Sequence, residues 1–101
     1  MAQIIWTKRA GGQLESAIRF IYEEQGFHYA NLVLQRIHSN VDLLTNNPEI
    51  GTVEPLLAHK KTEYRFLVVW SYKIIYRCAN DKVVISRVFH TSRSPKNLKG
   101  V

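Results

Sequence analysis

Residues 63–95 read EYRFLVVWSYKIIYRCANDKVVISRVFHTSRSP, a stretch crowded with Tyr, Phe, Val, Ile and Trp. Short turn-like breaks at residues 69–71 and 79–82 divide it into three runs of strand length, which predicts an antiparallel three-stranded meander. Asn80 and Asp81 sit at the second break, and both residue types tolerate the left-handed conformations that tight hairpins demand. Cations are woven through the strands at Arg65, Lys73, Arg77 and Arg87, and the last run leads into His90, Arg93, Lys96 and Lys99.

Upstream of the meander the pattern changes period. Gln3–Trp6 (QIIW) is a short apolar run closed by Thr7, a helix-capping residue, so a first strand followed by a helix is expected. Ala10, Leu14, Ala17, Ile18, Ile21 and Tyr22 follow one helical face, with Gly26 closing the helix and Gly11 and Gly12 weakening its first turn. From Tyr29, residues Ala30, Val33, Leu34, Ile37, Val41 and Leu44 repeat at three and four, giving a second helix that stops at Asn46, Asn47 and Pro48. Residues 47–61, with Pro48, Gly51 and Pro55, read as a loop that Leu56 and Leu57 pin to the core. The expected order is β-α-α-β-β-β: an α+β fold with a helical hairpin packed on one side of a mostly antiparallel sheet.

With 101 residues, 46% apolar and 22% charged, the chain has the length and composition of one ordinary globular domain spanning 1–101. No apolar run reaches the length of a membrane span, and the first ten residues lack a secretory signal pattern, so a cytoplasmic address without membrane association is expected. Cys78 is the sole cysteine and reads as a small apolar strand residue; His28, His38 and His59 are too dispersed for a metal site, and no cofactor is expected. Charge is segregated. Residues 1–58 hold four Lys or Arg against six Asp or Glu, net −2, whereas residues 59–101 hold ten against two, net +8. Positive charge gathered on the strand-rich half points to a polyanion or an acidic partner.

A hairpin pivoting on Asn80 and Asp81 sets Tyr72 opposite Phe89, Ile74 opposite Arg87, Tyr76 opposite Ile85 and Arg77 opposite Val84. Alternation alone leaves open which face meets the helices. Arg87, mid-strand, calls for a helix carboxylate such as Glu15 or Glu23, because an unpaired buried charge is too costly. Arg65, Lys73 and Arg77 read either as a solvated face or as a binding platform, and Arg93, Lys96 and Lys99 as target contacts beyond the last strand. Trp6 reads as core and Trp70 as turn packing or as an exposed anchor for a partner.

The element order, Asn47-Pro48 with Gly51 after the second helix, Tyr64-Arg65 opening a strand, the run Tyr72-Lys73-Ile74-Ile75-Tyr76-Arg77, and a last strand through Val88 and His90 to Arg93 together resemble the RelE/ParE superfamily, toxins of bacterial type II toxin-antitoxin pairs of the plasmid stabilisation type. The resemblance covers nearly the whole chain. It implies a growth inhibitor neutralised by a cognate antitoxin whose extended segment wraps it. RelE-like members cut mRNA in the ribosomal A site without a metal, and ParE-like members poison DNA gyrase. On the RelE pattern Arg65 falls at a strand lysine, Lys73 at a phosphate-binding arginine and Arg93 at the arginine after the last strand. Leu67 falls at a second functional lysine, and SPKNLKGV after Arg93 offers no tyrosine. The resemblance therefore favours a ParE-like gyrase inhibitor with no chemistry of its own. The alternatives are a metal-independent endoribonuclease acting on ribosome-bound mRNA, with His90 as base, and a non-toxic member that only binds its antitoxin.

Overall fold

The computed structural model describes residues 1–92, Leu98 and Val101. Strand β1 (Gln3–Trp6) leads to Thr7, whose hydroxyl accepts the Ala10 N–H at 3.1 Å and starts helix α1 (Lys8–Gln25). The helix runs through Gly11 and Gly12, the residues expected to weaken its first turn. Gly26, at φ 93°, is the whole connection to helix α2 (Phe27–Asp42), and only glycine enters that region without strain. Ala30, Val33, Ile37 and Val41 bury the face of α2 that their spacing predicts, and a short 3₁₀ turn, Leu43–Thr45, adds Leu44 to it. Tyr22, expected on the buried face of α1, is exposed.

The meander forms as predicted: β3 (Tyr64–Val69), β4 (Tyr72–Ala79) and β5 (Lys82–His90) pair antiparallel through two tight turns. Each turn begins with a residue at φ 57°, Trp70 in the first and Asn80 in the second. A two-residue strand β2 (Thr52–Val53), inside the segment expected to be loop, pairs with β3, and β1 lies parallel to β5. The sheet order is β1-β5-β4-β3-β2. Of the two leucines expected to pin the loop, Leu57 is buried and Leu56 is exposed.

The register of the second hairpin departs from a simple pivot. Arg77–Val84 and Tyr76–Ile85 pair as expected, but the ladder then shifts by one residue between Ile75 and Tyr76. Ser86 is the extra residue, so Ile75 faces Arg87, Ile74 faces Val88 and Tyr72 faces His90, instead of Ile74 with Arg87 and Tyr72 with Phe89. Strand alternation supplies the reason. Val83 and Ile85 point under the helices, and an unbroken period of two would carry Arg87 in after them; the bulge delivers Val88 there instead.

Two cores result. The larger lies between the helical hairpin and the sheet and includes Leu14, Ile37, Leu44, Ile74, Tyr76 and Ile85. A smaller cluster covers the opposite face, where Leu57, Ile75 and Leu98 bury one another against Phe66, Phe89 and Val101. Arg87 stands across from Ile75 of that cluster and donates to the carbonyl of Ser86 at 2.8 Å. The expected pairing with Glu15 or Glu23 is not made, and Glu15 holds Arg19 at 2.9 Å. Burial, with Arg9 adding repulsion, holds the Arg87 guanidinium below its usual pKa. Among the described residues no helix is long and apolar enough to cross a membrane.

Candidate functional site

Lys73 lies between Tyr72 and Ile74 on β4, both of which face the helices, so alternation sends it to the opposite face. Its Nζ sits 2.5 Å from Glu54 Oε1 and 4.1 Å from the centroid of the Phe66 ring. Glu54 is 1% exposed, and its second oxygen accepts the Leu56 N–H at 3.3 Å, starting the 3₁₀ turn Pro55–Leu57. Lys73 therefore neutralises a buried carboxylate.

Arg65 pairs with Tyr76 across the ladder and so shares the helix-side face. Its guanidinium holds Glu63 Oε1 at 2.9 Å, and Nη1 donates to the carbonyls of Gly51 at 2.8 Å and Glu49 at 3.2 Å. Alongside, the Tyr76 hydroxyl accepts the Gly51 N–H at 3.0 Å and donates to the Pro48 carbonyl at 2.7 Å. A side chain at Gly51 would collide with that hydroxyl. Arg65 and Tyr76 thus fasten the loop after α2 to the sheet. Arg77 faces Tyr64 on the side of Lys73, half-buried, and makes no ion pair among the described residues. Arg65 on one face and Lys73, Arg77 and Arg87 on the other divide the strand cations between the two faces.

His90 ends β5 beside Tyr72, ring centroids 5.4 Å apart and nearly perpendicular. Its Nδ1 lies 3.1 Å from the backbone N of Ser92 and 2.7 Å from the Ser92 hydroxyl. A backbone N–H only donates, so Nδ1 is the acceptor and the neutral ring carries its proton on Nε2. In that tautomer the ring offers a donor, not a base. His90 also lines an open cleft of about 760 Å³ between α1 and the end of β5, with Arg9, Gln13, Ser16 and Phe20 on its other wall. Gln13 Oε1 accepts the Val88 N–H at 2.7 Å across it.

Arg93, Lys96 and Lys99, expected as target contacts, lie outside the described residues. Sequence reasoning missed Glu54, Arg9 and Gln13. Glu54 had a faint signal, a carboxylate immediately before Pro55-Leu56-Leu57, where a cap belongs; Gln13 is the polar residue bordering the apolar stripe of α1. Cys78 is exposed, and partial desolvation pushes its thiol above the usual pKa, against the activation a nucleophile needs. Among the described residues no three His, Cys, Asp or Glu gather as metal ligands do.

The family described as ParE toxin of type II toxin-antitoxin system, parDE, matches residues 4–95. The chain belongs to that ParE toxin family. A solved structure titled "Chromosomal ParDE TA system from P. aeruginosa" contains a chain similar to this one at 21% identity, with a TM-score of 0.74 over 89% of this ParE-family chain and 96% of the other. That likeness carries the α+β architecture. No curated protein matches the chain.

Proposed function

We propose that this ParE-family toxin acts as a one-domain inhibitor of DNA gyrase in the cytoplasm, through protein contacts and without catalysis, and that a cognate antitoxin neutralises it. The observation that carries this reading is the engagement of the groups that phosphodiester cleavage would use. Arg65 is tied to Glu63 and two carbonyls, Lys73 to buried Glu54 on the other face, and the Nδ1 lone pair of His90 to the Ser92 N–H. Metal-free RNA cleavage needs a base and phosphate-binding cations converging on one phosphate. These three groups are held apart by internal bonds.

The test is a pair of assays on purified protein. Inhibition of gyrase-catalysed supercoiling, with no cleavage of mRNA in the A site of purified ribosomes, is the expected result. Cleavage on ribosomes without gyrase inhibition would replace this reading with the endoribonuclease one, and inactivity in both would leave a family member that binds only its antitoxin.

A further inference from the structure

We propose that Trp70, with Tyr29 and Arg36 beside it, is the anchor by which this toxin grips its protein target, at a target surface that offers a carboxylate next to an apolar pocket. Trp70 opens the two-residue turn between β3 and β4 at φ 57°, in the left-handed region where Gly, Asn and Asp are at ease and a bulky ring is not. Asn80, at the same place in the second hairpin turn and at the same φ, is the kind of residue that folding alone favours there. An aromatic kept in a strained surface turn has its reason outside the fold. The ring is also held in place. Arg36 Cζ sits 5.6 Å above its centroid and Tyr29 meets it edge-on at 6.0 Å, yet Trp70 stays 43% exposed, a large contact group ordered before anything binds. Tyr29, Leu32 and Arg36 follow one another at three and four along α2, so exposed Leu32 extends the same face.

Charge and residue type define the partner. Arg36 is exposed and makes no ion pair among the described residues, so its guanidinium, stationed over the indole, is left to pair with a carboxylate from outside. Trp, Tyr and Arg are the side chains that carry most of the binding energy at protein interfaces, and here they touch one another. A nucleic acid fits less well, because Arg36 takes one face of the ring and a single cation is not the track of charge that a phosphate backbone needs. The Ser71 carbonyl accepts the Thr91 N–H at 2.7 Å, which fastens this turn to the chain two residues before Arg93. The anchor thus stands at the end of the sheet from which the chain goes on to Arg93 and Lys96, the expected target contacts. That the target is gyrase rests on the proposed function; the anchor does not.

The test compares the native protein with Trp70→Asn, Arg36→Glu and Lys82→Glu, each titrated into a gyrase supercoiling assay, passed over immobilised gyrase, and induced in a bacterial host to read growth arrest. Trp70→Asn and Arg36→Glu are each expected to weaken gyrase binding and inhibition at least about tenfold and to relieve the arrest, with urea midpoints close to native. Lys82→Glu, the same charge change as Arg36→Glu at the other end of the sheet, should stay within about twofold of native. Equal weakening by Lys82→Glu, a native dimer that Trp70→Asn dissociates, or binding of short single-stranded RNA that depends on Trp70 would each overturn the proposal. If Trp70→Asn unfolds, Arg36→Glu decides alone, and unaltered inhibition and arrest by that variant overturn it. Growth arrest without gyrase inhibition, relieved by both variants, refutes the gyrase reading and leaves the anchor standing. Gyrase inhibition that both variants retain refutes the anchor alone, and a native protein that neither arrests growth nor inhibits gyrase refutes both.

Discussion

Lys73 and Tyr76, three residues apart on one strand, show how much of the polar chemistry serves the fold. Removing the Lys73 ammonium leaves Glu54 as a buried carboxylate without its cation, a loss of about 3–5 kcal/mol. Lys73→Met is therefore expected to lower the urea midpoint strongly, and Lys73→Met with Glu54→Gln to recover much of it; equal midpoints for the two variants would contradict the pairing. Tyr76→Phe abandons the Gly51 N–H and the Pro48 carbonyl, at a cost of about 1–3 kcal/mol. Burial raises the Tyr76 phenol above its ordinary value near 10. Between the unfolded and the higher folded pKa the native state keeps a proton that the unfolded chain has lost, so this contribution is whole below about pH 10 and fades as pH rises through the folded value. The stability gap between the native protein and Tyr76→Phe should accordingly shrink above pH 10 in urea titrations; a constant gap would show that the phenol is not linked to folding.

Among the elements, the two hairpin turns make a contrast. Both begin with a residue at φ 57°, and Asn80 suits that conformation while Trp70 does not. Trp70 is held there from the side by Arg36, 5.6 Å above its ring, and by Tyr29, edge-on at 6.0 Å, yet remains 43% exposed. Replacing it with Asn relieves about 1–2 kcal/mol of backbone strain while giving up ring contacts of similar size. Trp70→Asn is thus expected to unfold within about 1 kcal/mol of the native protein, and a loss above about 3 kcal/mol would mean that the ring packing outweighs the strain. Helices α1 and α2 and the three meander strands were legible from apolar spacing because each buries one continuous face. The bulge at Ser86 was not, since its cause is the need to bring Val88 rather than Arg87 beneath the helices, and that need exists only once the helices are in place.

Over the whole molecule, the strand cations of residues 59–101 are split and partly spent: Arg65 faces the helix side and Lys73, Arg77 and Arg87 the other, while Arg65 and Lys73 carry their own carboxylates and Arg87 is buried. Arg93 and Lys96, beyond β5, are proposed as target contacts. Arg93→Ala with Lys96→Ala is expected to weaken the proposed gyrase inhibition at least about tenfold with the thermal midpoint unchanged, whereas a melted or aggregated double variant would assign those residues to the fold. Order and type of the elements other than β2, segregation of charge and resemblance to the toxins could be read from the chain, because local periodicity, turn residues and motif spacing are properties of neighbours in sequence. Which cations are already neutralised, which nitrogen of His90 carries the proton, and how far along β5 the pairing with β1 extends were decided only by tertiary structure. Each depends on groups far apart in the chain, Glu54 with Lys73, Gly51 with Tyr76, Gln13 with Val88, or on a turn that no periodicity announces, as at His90 and Ser92.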